Sequence, residues 1–125
     1  MSTHTNNVVL RASAALTVAT GETYGSVARV DKYDELTLFL QLTAQSTYAA
    51  GDTLTVSVQT KDQAGNYYDL KGATFTAIAS DAAPTSEDIA IVVFGSNIRL
   101  KYVVTAAGAT VSYTFGVTAI GKGDF

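Results

Sequence analysis

The chain has 125 residues, 47% of them apolar and 15% charged, which fits one domain with a substantial core and excludes a disordered tail. Its formal net charge is −3 and its basic residues are scattered, so a nucleic-acid partner is not expected, because such surfaces need clustered Lys and Arg. The absence of cysteine excludes disulfide frameworks and thiol nucleophiles, and it is compatible with synthesis in a reducing cytoplasm.

The first residues of the chain, 1–7, are polar and lack alternation. We therefore predict that residues 1–7 form a flexible N-terminal arm with no strand in their own domain, and that residues 8–125 form a single domain. No basic leader is visible, and no run approaches the roughly 18 apolar residues of a membrane helix, so we expect neither a signal peptide nor a membrane partner.

Alternation of apolar and polar residues with a period of two dominates the rest of the chain. Residues 8–18 predict one long strand or two short ones, and residues 24–30 predict a further strand. Short strands are predicted at 67–70 and 74–78, separated from their neighbours by turn residues. The strongest alternation assigns an inward face to Leu36, Leu38, Leu40, Leu42, Leu54, Val56, Val58, Leu100, Tyr102, Tyr113, Phe115 and Val117.

One apolar and one polar face per strand is typical of antiparallel sheets that pack against each other on one side. Roughly eight or nine strands with frequent turns predict an all-β fold, an antiparallel β-sandwich that is jelly-roll-like.

Residues suited to catalysis are few. His4 is the single histidine and lies in the predicted arm, where a solvated role is the simplest interpretation. The acidic segments 31–35 and 81–88 do not have the spacing of a calcium loop, and they are interpreted as solvated loop acids. We therefore predict no enzyme activity, no metal and no cofactor.

Several side chains are candidates for an interface instead. Phe39 and Val103 interrupt polar faces, and residues 89–94 are apolar on both faces, with Val92 and Phe94 on the same side. Such residues are covered either by a loop or by another subunit. Two further pairs complete the candidate interface, namely Tyr67 with Tyr68, which point to opposite faces, and Arg99 with Lys101, which share an outward face and are solvated, salt-bridged or in contact with an acidic partner.

The order of these segments resembles a known family. A strand at 52–60 is followed by a glycine hairpin with aromatic and acidic residues at 65–70, a short strand around Phe75, a strand at 98–102, a small-residue turn and a strand at 111–117. This pattern, over 36–120, resembles small structural proteins of tailed bacteriophages and prophages. Members often carry Trp after the hairpin glycine, whereas this chain has Tyr67 and Tyr68.

The resemblance implies a virion component, with a capsid decoration (cement) protein as the first expectation and a tail or neck component as an alternative. Such a protein would form a homo-oligomer, with a trimer as the best single guess, and would bind the major capsid protein or other virion proteins at the capsid surface. A carbohydrate-binding or receptor-binding β-sandwich that uses exposed Tyr48, Tyr67 or Tyr68 is the alternative from another functional class.

Overall fold

The computed structural model describes residues 4–46, 51–79, 84–92, 95–106 and 111–123. Phe94 and Tyr48 lie outside these ranges. Within them the chain forms ten β-strands and no helix, and so it contains no helix that could cross a membrane. The strands are β1 (His4–Val18), β2 (Gly21–Tyr24), β3 (Ala28–Arg29), β4 (Glu35–Ser46), β5 (Thr53–Lys61), β6 (Tyr67–Thr74), β7 (Ile78–Ala79), β8 (Thr85–Ile91), β9 (Asn97–Thr105) and β10 (Val111–Gly123).

The strands build two antiparallel sheets. The front sheet has the order β1-β10-β4-β8, and the back sheet has the order β2-β9-β5-β6, with β3 added to β9 and β7 added to β5. The pairings are nested along the chain, since β1 pairs with β10, β2 and β3 with β9, β4 with β8, and β5 with β6 and β7. The predicted all-β antiparallel β-sandwich is confirmed, and its jelly-roll-like description stays a prediction.

The core lies between the two sheets. Every residue that was assigned an inward face is at most 2% exposed, because strand residues of equal parity point to the same side of a sheet. Tyr102 of the back sheet and Phe115 of the front sheet meet edge to face, with ring centroids 5.4 Å apart. Burial of apolar surface at about 25 cal/mol per Å² makes this shared layer the main stabilising contribution.

The N-terminal segment corrects one prediction. Residues 4–7 do form strand, since they extend β1 and pair with the end of β10, from His4 opposite Gly123 to Asn7 opposite Ile120. Asn6 Nδ2 also donates a hydrogen bond to the Tyr33 hydroxyl at 3.0 Å. The expectation of no strand was wrong for these residues because backbone pairing, rather than side-chain burial, holds an edge strand.

The sequence predicts either one long strand or two short ones at residues 8–18, and the structure has one long strand, β1. Register shifts interrupt its pairing with β10 between Val9 and Arg11 and between Arg11 and Ala14. Such bulges change which side chains face inward, and here the Arg11 guanidinium turns towards the core edge, 4.4 Å from the Phe115 ring centroid and 5.2 Å from that of Tyr102. Arg11 Nε also donates to the Phe115 carbonyl at 3.2 Å.

Candidate interface surfaces

The outer face of the front sheet carries an apolar patch formed by Val9, Phe39 and Ile120. Val9 is opposite Thr118 on β10, and Thr118 is opposite Phe39 on β4, so the three side chains lie in one row. Ile120 lies two residues further along β10 on the same face. Val9, Phe39 and Ile120 are 64%, 40% and 42% exposed, which is unusual for large apolar side chains placed so close together.

A shallow cavity of about 350 Å³ adjoins this patch and is lined by Val9, Phe39, Thr118 and Gly116, together with the bulged part of β1. A Cβ atom at Gly116 would lie 3.2 Å from the Ser13 nitrogen and 3.3 Å from the Arg11 carbonyl oxygen. The bulge therefore approaches β10 closely at a position that has no side chain, and the result is a concave apolar surface beside Phe39.

Charge is scarce around the apolar patch. Between Ser112 and Thr118 the outward side chains of β10 are Ser, Thr and Gly, and the outward positions of β4 from Thr37 to Thr43 add only Thr and Gln beside Phe39. Asp88 is opposite Phe39 on β8, and Lys122 pairs with Glu35 at 3.5 Å at one end of the sheet. Charge repulsion on this surface is therefore small when another protein surface approaches it.

The outer face of the back sheet carries a different cluster, centred on Arg99. The Arg99 Cζ atom is 4.0 Å from the ring centroid of Tyr24 and 3.8 Å from that of Tyr67. Tyr24 comes from β2 on one side of β9, and Tyr67 comes from β6 beyond β5 on the other side. The guanidinium is therefore held between two aromatic rings, and the electron-rich face of each ring attracts the cation.

Polar contacts fix this Arg99 cluster further. Arg99 Nε donates to Gln59 Oε1 at 2.9 Å, and Gln59 Nε2 donates to Asp69 Oδ1 at 2.9 Å. Lys101 Nζ contacts the Asp69 carboxylate at 3.1 Å, and Tyr24 donates its hydroxyl hydrogen to Glu22 at 3.0 Å.

These contacts also shift the protonation of the cluster. The hydrogen bond from Gln59, followed by that from Lys101, holds the pKa of Asp69 below its usual range. The same carboxylate raises the pKa of Lys101. The hydrogen bond to Glu22 raises the pKa of Tyr24. Asp69 and Lys101 therefore stay charged over a wider pH range than isolated side chains would.

The structure divides the predicted interface residues between several places. Tyr67, Arg99, Lys101 and Val103 share the outer face of the back sheet, whereas Phe39 lies on the front sheet. Val92 follows β8 and is 66% exposed, Tyr68 is 55% exposed on the β6 edge, and Phe94 lies outside the described residues. The role of these residues in an interface stays a prediction.

Sequence reasoning missed several members of both surfaces. Val9 and Ile120 belong to the apolar patch, and Tyr24, Gln59 and Asp69 belong to the Arg99 cluster. Ile120 could have been found, because it is an apolar residue at a position that points away from the core if Val117, three residues earlier in the strand, points inward. Val9 could not, because residues 8–10 are all apolar and the local pattern does not show which of them faces outward.

Residues considered for chemistry are dispersed in the described part of the chain. His4 is exposed at the start of β1. Asp31 pairs with Arg29 at 3.2 Å, and Glu87 accepts hydrogen bonds from the backbone and hydroxyl of Thr76. Among the described residues no group of three or more His, Cys, Asp or Glu side chains could hold a metal ion. The absence of enzyme activity stays a prediction.

Comparison with known proteins finds similarity in structure alone, since no family model and no curated protein sequence matches the chain. The fold is similar to that in the structure of infectious bursal disease virus, Gx strain, with a TM-score of 0.66, 11% identity, and coverage of 98% of this chain and 33% of that one. The crystal structure of the infectious bursal disease virus VP2 subviral particle gives a TM-score of 0.62 at 13% identity, with coverage of 97% and 33%. This chain therefore spans about a third of the length of these viral chains.

Two further similar structures come from other assemblies. Bacillus endospore appendages, reported as disulfide-linked pili, give a TM-score of 0.54 at 12% identity, with coverage of 98% of this chain and 90% of that one. Tailspike protein 4 of bacteriophage CBA120, in its enzymatically active domain, gives 0.52 at 13% identity, with coverage of 98% and 17%. At these identities the likeness establishes a shared β fold.

Proposed function

We propose that this chain is a structural protein of a virion that acts by packing against other protein subunits. The observation that carries the proposal is the apolar patch of Val9, Phe39 and Ile120, on a sheet face whose central outward side chains are mostly small or uncharged polar. Exposed apolar surface is costly in water, and contact with a second protein surface removes that cost. The likeness in fold to viral chains, one of them from a VP2 subviral particle, supports a role in assembly.

The finer proposal is a decoration protein on the capsid surface. It rests on the resemblance to small phage structural proteins, and the preference for a trimer rests there too. Many symmetric copies, each with a modest contact area, together add a large stabilisation to a shell. The mechanism is mechanical, because added contacts between capsid subunits raise the barrier to rupture under DNA pressure.

The alternatives have less support. A sugar platform needs several free aromatic faces, yet Tyr67 contacts the Arg99 guanidinium, which leaves Tyr68, 55% exposed on β6, as the remaining described tyrosine of that alternative. A covalent polymer of the kind reported for the Bacillus pili needs disulfides, and this chain has no cysteine. A tail or neck position in the virion remains an outcome of the test below.

The first experiment measures self-association of the purified chain by sedimentation velocity over a range of concentrations. We expect the wild type to associate and the double variant Phe39→Ser, Ile120→Ser to remain monomeric. Val27→Ser is the matched control, because Val27 is 53% exposed but is not part of the apolar patch. Equal association of the double variant and the wild type would contradict the assignment of the patch.

The second experiment removes the protein from virus particles. Particles without it should assemble but release DNA at a lower temperature, and particles carrying the double variant should behave the same way. Particles that are equally heat-stable but fail to adsorb to cells would move the function to receptor binding. Particles that lack tails would place the protein in the tail or neck.

A further inference from the structure

The Arg99 cluster contains a guanidinium that is fixed in place yet has no carboxylate partner. Among the described residues its only hydrogen bond is from Nε to Gln59, so the two terminal amino groups, Nη1 and Nη2, have no hydrogen-bond acceptor there. The nearest acidic group in the network, Asp69, is engaged by Gln59 and Lys101 instead. Arginine normally satisfies these amino groups with carboxylate, phosphate or carbonyl oxygens.

The cluster is also organised before any ligand arrives. Two rings hold the guanidinium at 3.8 and 4.0 Å, and the Nε hydrogen bond sets the rotation of its plane. The planar fork of Arg matches the two oxygens of a carboxylate, and a fork that is already fixed loses less conformational entropy on binding. The long side chain of an unrestrained surface Arg would lose that entropy.

We propose that Arg99, clamped between Tyr24 and Tyr67, is a binding site for a carboxylate side chain in an acidic segment of a partner protein. The charge around it favours a carboxylate over a phosphate. Lys101 is paired with Asp69, and the Glu22 carboxylate accepts a hydrogen bond from Tyr24, so two cations and two carboxylates balance in the cluster. Arg99 is the cation of this cluster that has no carboxylate contact among the described residues, and its fork suits one carboxylate better than a multiply charged phosphate.

This site lies on the sheet opposite the apolar patch and does not depend on the proposed virion role. If both surfaces bind at once, the chain contacts one neighbour through the front sheet and an acidic segment through the back sheet. The purified chain is sufficient to test the Arg99 site, so failure here leaves the apolar patch proposal standing, and the reverse also holds.

The test is a titration of the purified chain with a capped oligoglutamate peptide, followed by the NMR signals of Arg99 Nε–H and of the Tyr24 and Tyr67 rings. A capped oligoglutamine peptide is the matched ligand control. We expect saturable shifts with glutamate alone. In Arg99→Lys, which keeps the charge but loses the fork, binding should weaken about tenfold or more, because hydrogen bonds to charged groups are among the strong ones.

Two further variants separate the clamp from general charge. Tyr67→Leu should weaken binding while thermal unfolding shows an intact fold. Arg29→Lys should bind like the wild type, because Arg29, which lies on β3 opposite Asn97, two residues along β9 from Arg99, is already paired with Asp31. An absence of saturable shifts, or equal binding by Arg99→Lys, would overturn the proposal. Tighter binding of inorganic phosphate or single-stranded DNA at Arg99 would reassign the ligand to phosphates. If the same NMR signals shift when the protein alone is concentrated, the group that binds Arg99 belongs to a second copy of the chain, and the proposal of a separate acidic partner is wrong.

Discussion

One side chain of the core, Tyr113, carries a polar group whose hydrogen-bonding capacity is not used within the described part of the chain. The Tyr113 hydroxyl is buried and has no hydrogen-bond partner among the described residues. Burial, followed by the nearby Asp52 carboxylate, raises the pKa of Tyr113. A buried hydroxyl without a partner carries a desolvation cost of about 1–3 kcal/mol, so its removal relieves that cost.

We therefore predict that Tyr113→Phe leaves the free energy of unfolding unchanged or raises it. Tyr102→Phe is the comparison, because burial raises the pKa of the Tyr102 hydroxyl and the Arg11 guanidinium, 5.2 Å from the Tyr102 ring centroid, lowers it. That variant should lose about 1 kcal/mol. Urea unfolding monitored by circular dichroism measures both, and a large loss in Tyr113→Phe would mean that its hydroxyl is satisfied after all.

The Asp69 carboxylate predicts a small pH dependence of stability. Its folded pKa lies below its unfolded value of about 3.9, so its contribution is present above that value and is lost as pH falls through the folded pKa. The carboxylate is well exposed, so solvent screening makes the contribution small. Asp69→Asn should therefore be slightly less stable than the wild type at pH 7, and the difference should shrink as pH falls through the folded pKa. A difference that persists at acid pH would point to packing rather than charge.

Among the elements, strand β1 departs furthest from what the sequence predicts. Its first residues are polar, so a pattern that registers only side-chain burial predicts no strand there. In the structure backbone pairing with β10 holds them. We predict that backbone amides of residues 5–7 that pair with β10 exchange with solvent more slowly than unpaired loop amides such as that of Gln63. If these amides exchange at the rate of a free peptide, the prediction of a flexible arm is right and the strand is not formed in solution.

The strongly alternating strands behave as the sequence predicts, because both of their faces have a clear preference. Leu36 to Leu42 and Leu54 to Val58 face inward in the order that their parity indicates. The two surfaces proposed to bind partners were predicted only in part, because their members come from strands far apart in sequence. Arg99 meets Tyr24 and Tyr67 through three strand pairings, and no local pattern contains that register.

At the scale of the whole molecule, the two sheets share one core, so truncation in either sheet should weaken the same unfolding transition. Leu40 of the front sheet and Val56 of the back sheet are 2% and 1% exposed. We predict that Leu40→Ala and Val56→Ala each lower the free energy of unfolding by about 1–4 kcal/mol with a single transition. Differential scanning calorimetry checks this, and two separate transitions would show that the sheets unfold independently.

The nested pairing of strands has a consequence for how the chain is made. Strand β1 is synthesised before the other described strands, yet its partner in the front sheet, β10, is the last of them. Strand β10 also joins β1 to β4, so the centre of that sheet is empty until β10 has been made. Folding dominated by such distant pairings is slow and leaves edges exposed to aggregation. During translation β1 therefore has no front-sheet partner until β10 has been synthesised, and in that interval its backbone edge is exposed to pairing with other unfolded chains.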